Sequence, residues 1–230
     1  MSSALTSVVL KARSTHTASV IFLHGLGDSG HGWEPVAQIL SRSLPYVKFI
    51  LPNAPSAPVT LNFGMKMPAW YDIKSLEKIA SQEDEAGMRA SMIKINRIIA
   101  DEIAAGIPAE RIILGGFSQG GAMALFTGLQ SEYRFGGLAV LSGYLPIRDR
   151  IFAMATDSSK QVPIFQGHGT ADGVVLFEYG KMTEDMLKSK GYKPEFHAYE
   201  YMEHASCEDE LRHLLLFIKK NVPEAPAPRA

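Results

Sequence analysis

Cysteine is nearly absent from this chain. Cys207 is the only one in 230 residues, so no internal disulfide framework can form, and the sequence suits a reducing compartment. There is no excess of charge either. The net charge is −1 with histidine neutral, which leaves no electrostatic footprint for nucleic acid. Basic residues are scattered, with no polybasic run to hold an acidic membrane surface. No long apolar run opens the sequence, so neither a signal peptide nor a membrane span is expected. Position 2 is Ser2 and no cysteine comes early, so the common N-terminal acylation sites are missing. Metal-ligand spacings are missing too. The seven histidines are dispersed, and no H-x-x-x-H or C-x-x-C pair occurs, so neither a metal nor a cofactor is expected. The expected location is the cytosol, and a chain this small can also enter the nucleus.

What is present suits one α/β domain with one large core. Apolar residues make up 46% and charged residues 20%, ordinary values for a soluble globular protein. Apolar runs at Ala18–Leu23, Val47–Leu51, Ile112–Leu114, Gly137–Leu141 and Val162–Gln166 read as buried strands. Ser7–Leu10 reads as an edge strand, and the alternating Glu195–Tyr201 as a strand. Helix patterns lie between them: Trp33–Arg42, Ser81–Ala105, Gln119 to about Leu129, and Leu176–Lys190. A last helix to about Lys220 follows a capping-box pattern at Ser206 and Asp209. In Ser81–Ala105, Met88, Met92, Ile95, Ile99 and Ile103 keep one face apolar, and its charges read as a solvated face. Strands alternating with helices argue a mainly parallel central sheet with helices on both faces. No internal repeat or linker divides residues 1–222, and the Pro/Ala-rich tail 223–230 is expected to be disordered.

The strand at Ile112 runs into Gly116-Phe117-Ser118-Gln119-Gly120, a G-x-S-x-G pattern between a strand and a helix. On so sharp a turn a serine hydroxyl stands clear of the sheet. Gly116 and Gly120 are needed where the two backbones nearly touch. The helix beginning at Gln119 aims its positive end at the turn, which favours a developing oxyanion.

A serine hydroxyl needs a base within hydrogen-bond reach, and that base needs an orienting acid. With this elbow the chain order is serine, acid, histidine, each on a loop after a strand. Of the late histidines, His197 falls inside a strand and His213 inside a helix. His204 alone lies in a loop between the last strand and the last helix. Among Asp149, Asp157 and Asp172, Asp172 follows a strong apolar strand by a short glycine-containing loop. Ser118, Asp172 and His204 are therefore the candidate nucleophile, acid and base. The Gly-rich loop His24-Gly25-Leu26-Gly27 follows a strand at once, so the backbone N–H groups of Leu26 and Gln119 are the expected oxyanion donors. Cys207, near a helix start, is read as a packed thiol. Thr60–Asp72 holds Leu61, Phe63, Met65, Met67, Trp70 and Tyr71 without helix or strand period. Such a stretch either lines a pocket for an apolar ligand or packs on the core, and the residues alone leave both open.

Several pieces together resemble the acyl-protein thioesterases of the lysophospholipase/carboxylesterase family, which have the α/β-hydrolase fold. They are Phe22–Asp28, Pro52–Pro55, Pro58–Asn62, Met67–Asp72, Gly115–Gly121, Leu141–Leu145, Gly167-His168, Asp172 and His204-x-Ser206-Cys207. The resemblance implies the same triad of Ser118, Asp172 and His204. It also implies an acyl-chain channel bordered by Leu61, Met65 and Trp70. The activity implied is hydrolysis of fatty acyl thioesters on protein cysteines, with lysophospholipids and small esters as further substrates. A general short-chain carboxylesterase and a non-catalytic acyl-binding module are the alternatives. S-acylated proteins and acyl lipids are the implied partners, with no nucleic acid. Membrane contact is expected to be transient at most, and the chain to be a monomer or weak homodimer. One departure stands out. Such proteins often carry Val-Pro shortly after the acid, whereas Val175 is followed by Leu176.

Overall fold

A computed structural model describes residues 4–75 and 83–225. Nine strands and five α-helices occur among them, beginning with β1 (Ser7–Leu10), β2 (Ala18–Leu23), α1 (Gly30–Ser43) and β3 (Val47–Pro52). Next come β4 (Ser56–Val59), β5 (Met65–Pro68), α2 (Glu85–Ala104), β6 (Ile112–Phe117), α3 (Gln119–Leu129) and β7 (Gly137–Leu141). The chain then forms β8 (Ile164–Gly169), α4 (Phe177–Ser189), β9 (Pro194–Tyr199) and α5 (Glu208–Asn221).

Seven strands form one sheet in the order β1-β3-β2-β6-β7-β8-β9. Only β1 runs antiparallel, against β3; the other pairings are parallel. The central strands are mostly apolar because both faces are covered. One face packs on Trp33, Ala37 and Leu40 of α1 with Leu214, Phe217 and Ile218 of α5. The other packs on Met88, Ile95 and Ile99 of α2, on α3, and on Leu187 of α4. This is the α/β-hydrolase arrangement, with the loops after the parallel strands gathered at one edge of the sheet. No described helix is long and apolar enough to cross a membrane.

Five sequence expectations change. The stretch after Pro52 is not irregular throughout: β4 and β5 pair as an antiparallel hairpin, Ser56↔Pro68 to Val59↔Met65. Its turn is made by left-handed residues, Phe63 at φ 56° and Gly64 at φ 76°. Strand alternation is invisible there because the hairpin stands off the core and most of its residues are exposed or half-buried. Helix α2 starts at Glu85 because Asp84 caps it, accepting the N–H of Gly87 at 2.9 Å; Ser81 and Gln82 lie outside the described residues. Not all charges of α2 are solvated. Glu102 is buried and takes the hydroxyl of Ser19 and the ammonium of Lys48.

The last helix is capped by Cys207 rather than Ser206, without a side-chain hydrogen bond. Its first turn carries Glu208, Asp209 and Glu210, which the helix dipole favours. In the tail, Pro223 is tied down, its carbonyl accepting from Arg111 Nη2 at 2.7 Å; residues 226–230 lie outside the described residues.

Candidate active site

Ser118 sits between β6 and α3 at φ 54°, ψ −119°. A non-glycine residue in that region stores strain of roughly 1–3 kcal/mol. The turn is possible because the flanking glycines have no side chain. A Cβ on Gly120 would meet Leu23 O at 2.1 Å, and one on Gly116 would meet the carbonyl carbon of Gly120 at 2.4 Å. The N–H of Ser118 is held by Leu141 O at 2.8 Å, and its own carbonyl receives the N–H of Ala122.

The three residues singled out in the sequence come together here. Ser118 Oγ lies 3.0 Å from His204 Nε2. His204 Nδ1 lies 2.7 Å from Asp172 Oδ2. A carboxylate only accepts, so Nδ1 carries the proton, and the unprotonated Nε2 accepts from the serine hydroxyl. The His204 ring packs on Phe117, centroid to centroid 4.7 Å. Asp172 is buried. Burial opposes its charge, but hydrogen bonds from His168, His204 and the N–H of Val174 prevail and hold its carboxyl well below the usual range. Its Oδ1 also takes the N–H of Val175 at 2.9 Å.

The other candidates lie elsewhere. Asp149 and Asp157 are exposed, and Asp157 pairs with Lys160. His197 and His213 stack on each other at 4.6 Å between β9 and α5. Cys207 is half-buried at the N-cap of α5. Among the described residues no group of three His, Cys, Asp or Glu side chains could hold a metal ion.

The N–H groups of Leu26 and Gln119, the expected oxyanion donors, both lack a backbone acceptor among the described residues. Gln119 is the first residue of α3, where an N–H has no intrahelical acceptor. The loop that carries Leu26 is fixed from behind by groups that sequence reasoning passed over. Ala54 N–H donates to His24 Nε2 at 3.0 Å, so the ring's proton is on Nδ1, which donates to Gly25 O at 2.7 Å. Burial lowers the pKa of His24 and keeps it neutral. Gly27 N–H donates to Pro68 O at 2.8 Å, tying the loop to the hairpin.

Trp70, expected beside an acyl channel, is 2% exposed. Its indole N–H donates to His24 O at 2.8 Å, bracing the loop. Leu61 is half-buried against the core, and Met65 is 60% exposed on the hairpin. The side chain of Gln119 was also missed. It is buried, accepts the N–H of Trp70 and donates to Tyr71 O at 2.8 Å. A primary amide among the small and apolar residues that open α3 was the available signal.

The chain as a whole is similar to known proteins. The profile of the Phospholipase/Carboxylesterase family matches residues 5–222. The chain is 46% identical over 237 residues to Acyl-protein thioesterase 1 of Mycosarcoma maydis, covering 96% of this chain and 99% of the relative. It is similar in structure to Arabidopsis thaliana SOBER1, with a TM-score of 0.85 and 36% identity over 90% of this chain and 99% of the other. It is also similar to Zea mays acyl-protein thioesterase 2, with a TM-score of 0.83 and 30% identity over 94% and 99%.

Proposed function

The chain belongs to the phospholipase/carboxylesterase family of α/β-hydrolases and is a hydrolase, and we propose that it removes fatty acyl groups from S-acylated protein cysteines. The observation that carries the chemistry is the unbroken Ser118–His204–Asp172 hydrogen-bonded chain. The substrate class rests on the similarity to acyl-protein thioesterases over nearly the whole chain. Lysophospholipids and small acyl esters fit the same chemistry.

In this reading His204 Nε2 takes the proton of Ser118 as Oγ attacks the acyl carbonyl. The oxyanion is received by the N–H groups of Leu26 and Gln119, aided by the positive end of α3. Asp172 stays ionised and stabilises the imidazolium without taking its proton. The thioester bond breaks, and the sulfur leaves with the proton held by His204. Water then attacks the acyl-serine with His204 as base, and free fatty acid and Ser118 are released. No cofactor enters. Acylated proteins and lipids would reach the site from the cytosol, with brief contact at a membrane surface. Phe63 and Met65, exposed at the hairpin, are apolar groups that could make such contact.

The deciding experiment compares a palmitoyl-cysteine peptide with a matched acetyl-cysteine peptide, using wild type and Ser118→Ala. Preference for palmitoyl, lost in the variant, is the expected outcome. Preference for acetyl, also lost, would indicate a general short-chain carboxylesterase. Absence of turnover in wild type, with retained acyl binding, would indicate a binding module. Turnover surviving Ser118→Ala would overturn the assignment of the nucleophile.

A further inference from the structure

His168 takes no part in the mechanism above, yet it is fully buried and lies against the triad acid. It stands on β8 with its ring towards α4. A Cβ on Gly180 of α4 would come within 2.5 Å of its Nδ1, and the ring of Phe177 approaches edge-on at 6.0 Å. The ring therefore has no room to turn. Its Nε2 is 2.7 Å from Val175 O and 3.4 Å from Asp172 Oδ2. Both neighbours are acceptors, so Nε2 carries the proton and Nδ1 does not. Nδ1 has no partner among the described residues.

We propose that His168 is a positioning residue for the triad acid, its Nε2–H shared between the Val175 carbonyl and Asp172 Oδ2. The inference rests on the assignment of Ser118, His204 and Asp172 as a working triad. The carboxylate then has two N–H donors at each oxygen. Val174 and Val175 N–H serve Oδ1, while His204 Nδ1–H and His168 Nε2–H serve Oδ2. Val175 closes the arrangement, since its N–H donates to Asp172 and its carbonyl accepts from His168. The loop after the acid, which lacks the expected proline, is pinned to the sheet in this way.

Two consequences follow for the chemistry. The carboxylate cannot rotate away from His204, because all four contacts fix its plane. Part of its charge is also spent on His168, which limits how strongly it holds a proton on His204. Without the His168 donor the imidazolium gains stability, so the acid limb of the pH profile moves up.

The test uses the full chain and ester hydrolysis across pH. His168→Leu removes the donor at similar volume, and His168→Gln places an amide N–H near the Nε2 position. For His168→Leu we expect kcat/KM to fall about tenfold and its acid limb to rise by about half a pH unit or more. His168→Gln is expected to restore both most of the way. Equal losses in both variants with an unmoved acid limb would overturn the proposal and leave a packing role. If His168→Leu does not fold, nitrogen NMR of 15N-histidine-labelled wild type decides. A proton on Nε2 of His168 supports the proposal, and a proton on Nδ1 alone overturns it. Hydrolysis surviving Ser118→Ala would instead overturn the triad assignment, so the two failures are distinguishable.

Discussion

Gln119 Oε1 accepts the backbone N–H of Trp70 at 2.9 Å, although the two residues are 49 positions apart. The same amide donates to Tyr71 O, so the first residue of α3 grips the chain after the hairpin as a neighbouring strand would. Its own N–H lies in the first turn of α3, where no intrahelical acceptor exists. Replacing Gln119 by Leu keeps the bulk but orphans a buried N–H and a buried carbonyl. A stability loss of roughly 1–3 kcal/mol is expected, seen in denaturant unfolding. A fall in kcat larger than the change in KM should accompany it, because the donors matter most in the transition state.

The glycines near the site divide by what surrounds them. Gly120→Ala would drive a Cβ into the backbone of Leu23 and His24, at 2.1 and 2.6 Å from their carbonyl oxygens. Backbone cannot yield cheaply, so destabilisation of roughly 1–3 kcal/mol or more and loss of hydrolysis are expected. Gly173, next to Asp172, has nothing within 4 Å of an added Cβ. Gly173→Ala should keep both its melting temperature and its activity.

Glu210 is fully buried, and neither carboxylate oxygen has a partner among the described residues. Burial pushes its pKa from an ordinary 4.5 up to about 8. Between those values the unfolded chain has lost this proton while the folded protein keeps it. The folded state is therefore favoured at low pH, and Glu210's contribution to stability declines from about pH 4.5 to about pH 8. Above that range it is constant. In Glu210→Gln this decline should vanish, so the variant's stability relative to wild type rises by roughly 2–5 kcal/mol across the window. Denaturant titrations at pH 5 and pH 9 measure it; a constant difference between the two proteins would refute it.

Leu176 follows Val175 where similar proteins often carry proline. It has φ −51°, within the range a proline ring imposes, and its N–H has no backbone acceptor among the described residues. Leu176→Pro should therefore raise stability by about 0.4–1 kcal/mol through the unfolded state. Thermal unfolding checks this, with kcat/KM expected to be unchanged.

Much of this protein was legible in order along the chain. Strands β2, β3, β6 and β7 show as apolar runs because burial on both faces leaves few polar positions. The elbow shows because a strained serine needs Gly116 and Gly120 beside it. His204 and Asp172 could be picked out by their place after a strand, since a loop at that edge can reach Ser118. The β4–β5 hairpin did not show, because strands that stand off the core need no apolar face. The capping pattern at Ser206 misled by one residue, because the turn before α5 rather than the local side chain set where the helix begins.

The sequence by itself determined the fold class and the three residues of the hydrogen-bonded chain, because those depend on local periodicity, turn chemistry and order. Tertiary structure alone decided how they are supported. Trp70 braces the loop that carries Leu26, Gln119 grips Trp70 and Tyr71, and Glu102 and Glu210 are buried. Each outcome depends on which side chain meets which across tens of residues. Burial and hydrogen-bond satisfaction set those meetings once the sheet has closed, and they leave no periodic trace in the chain.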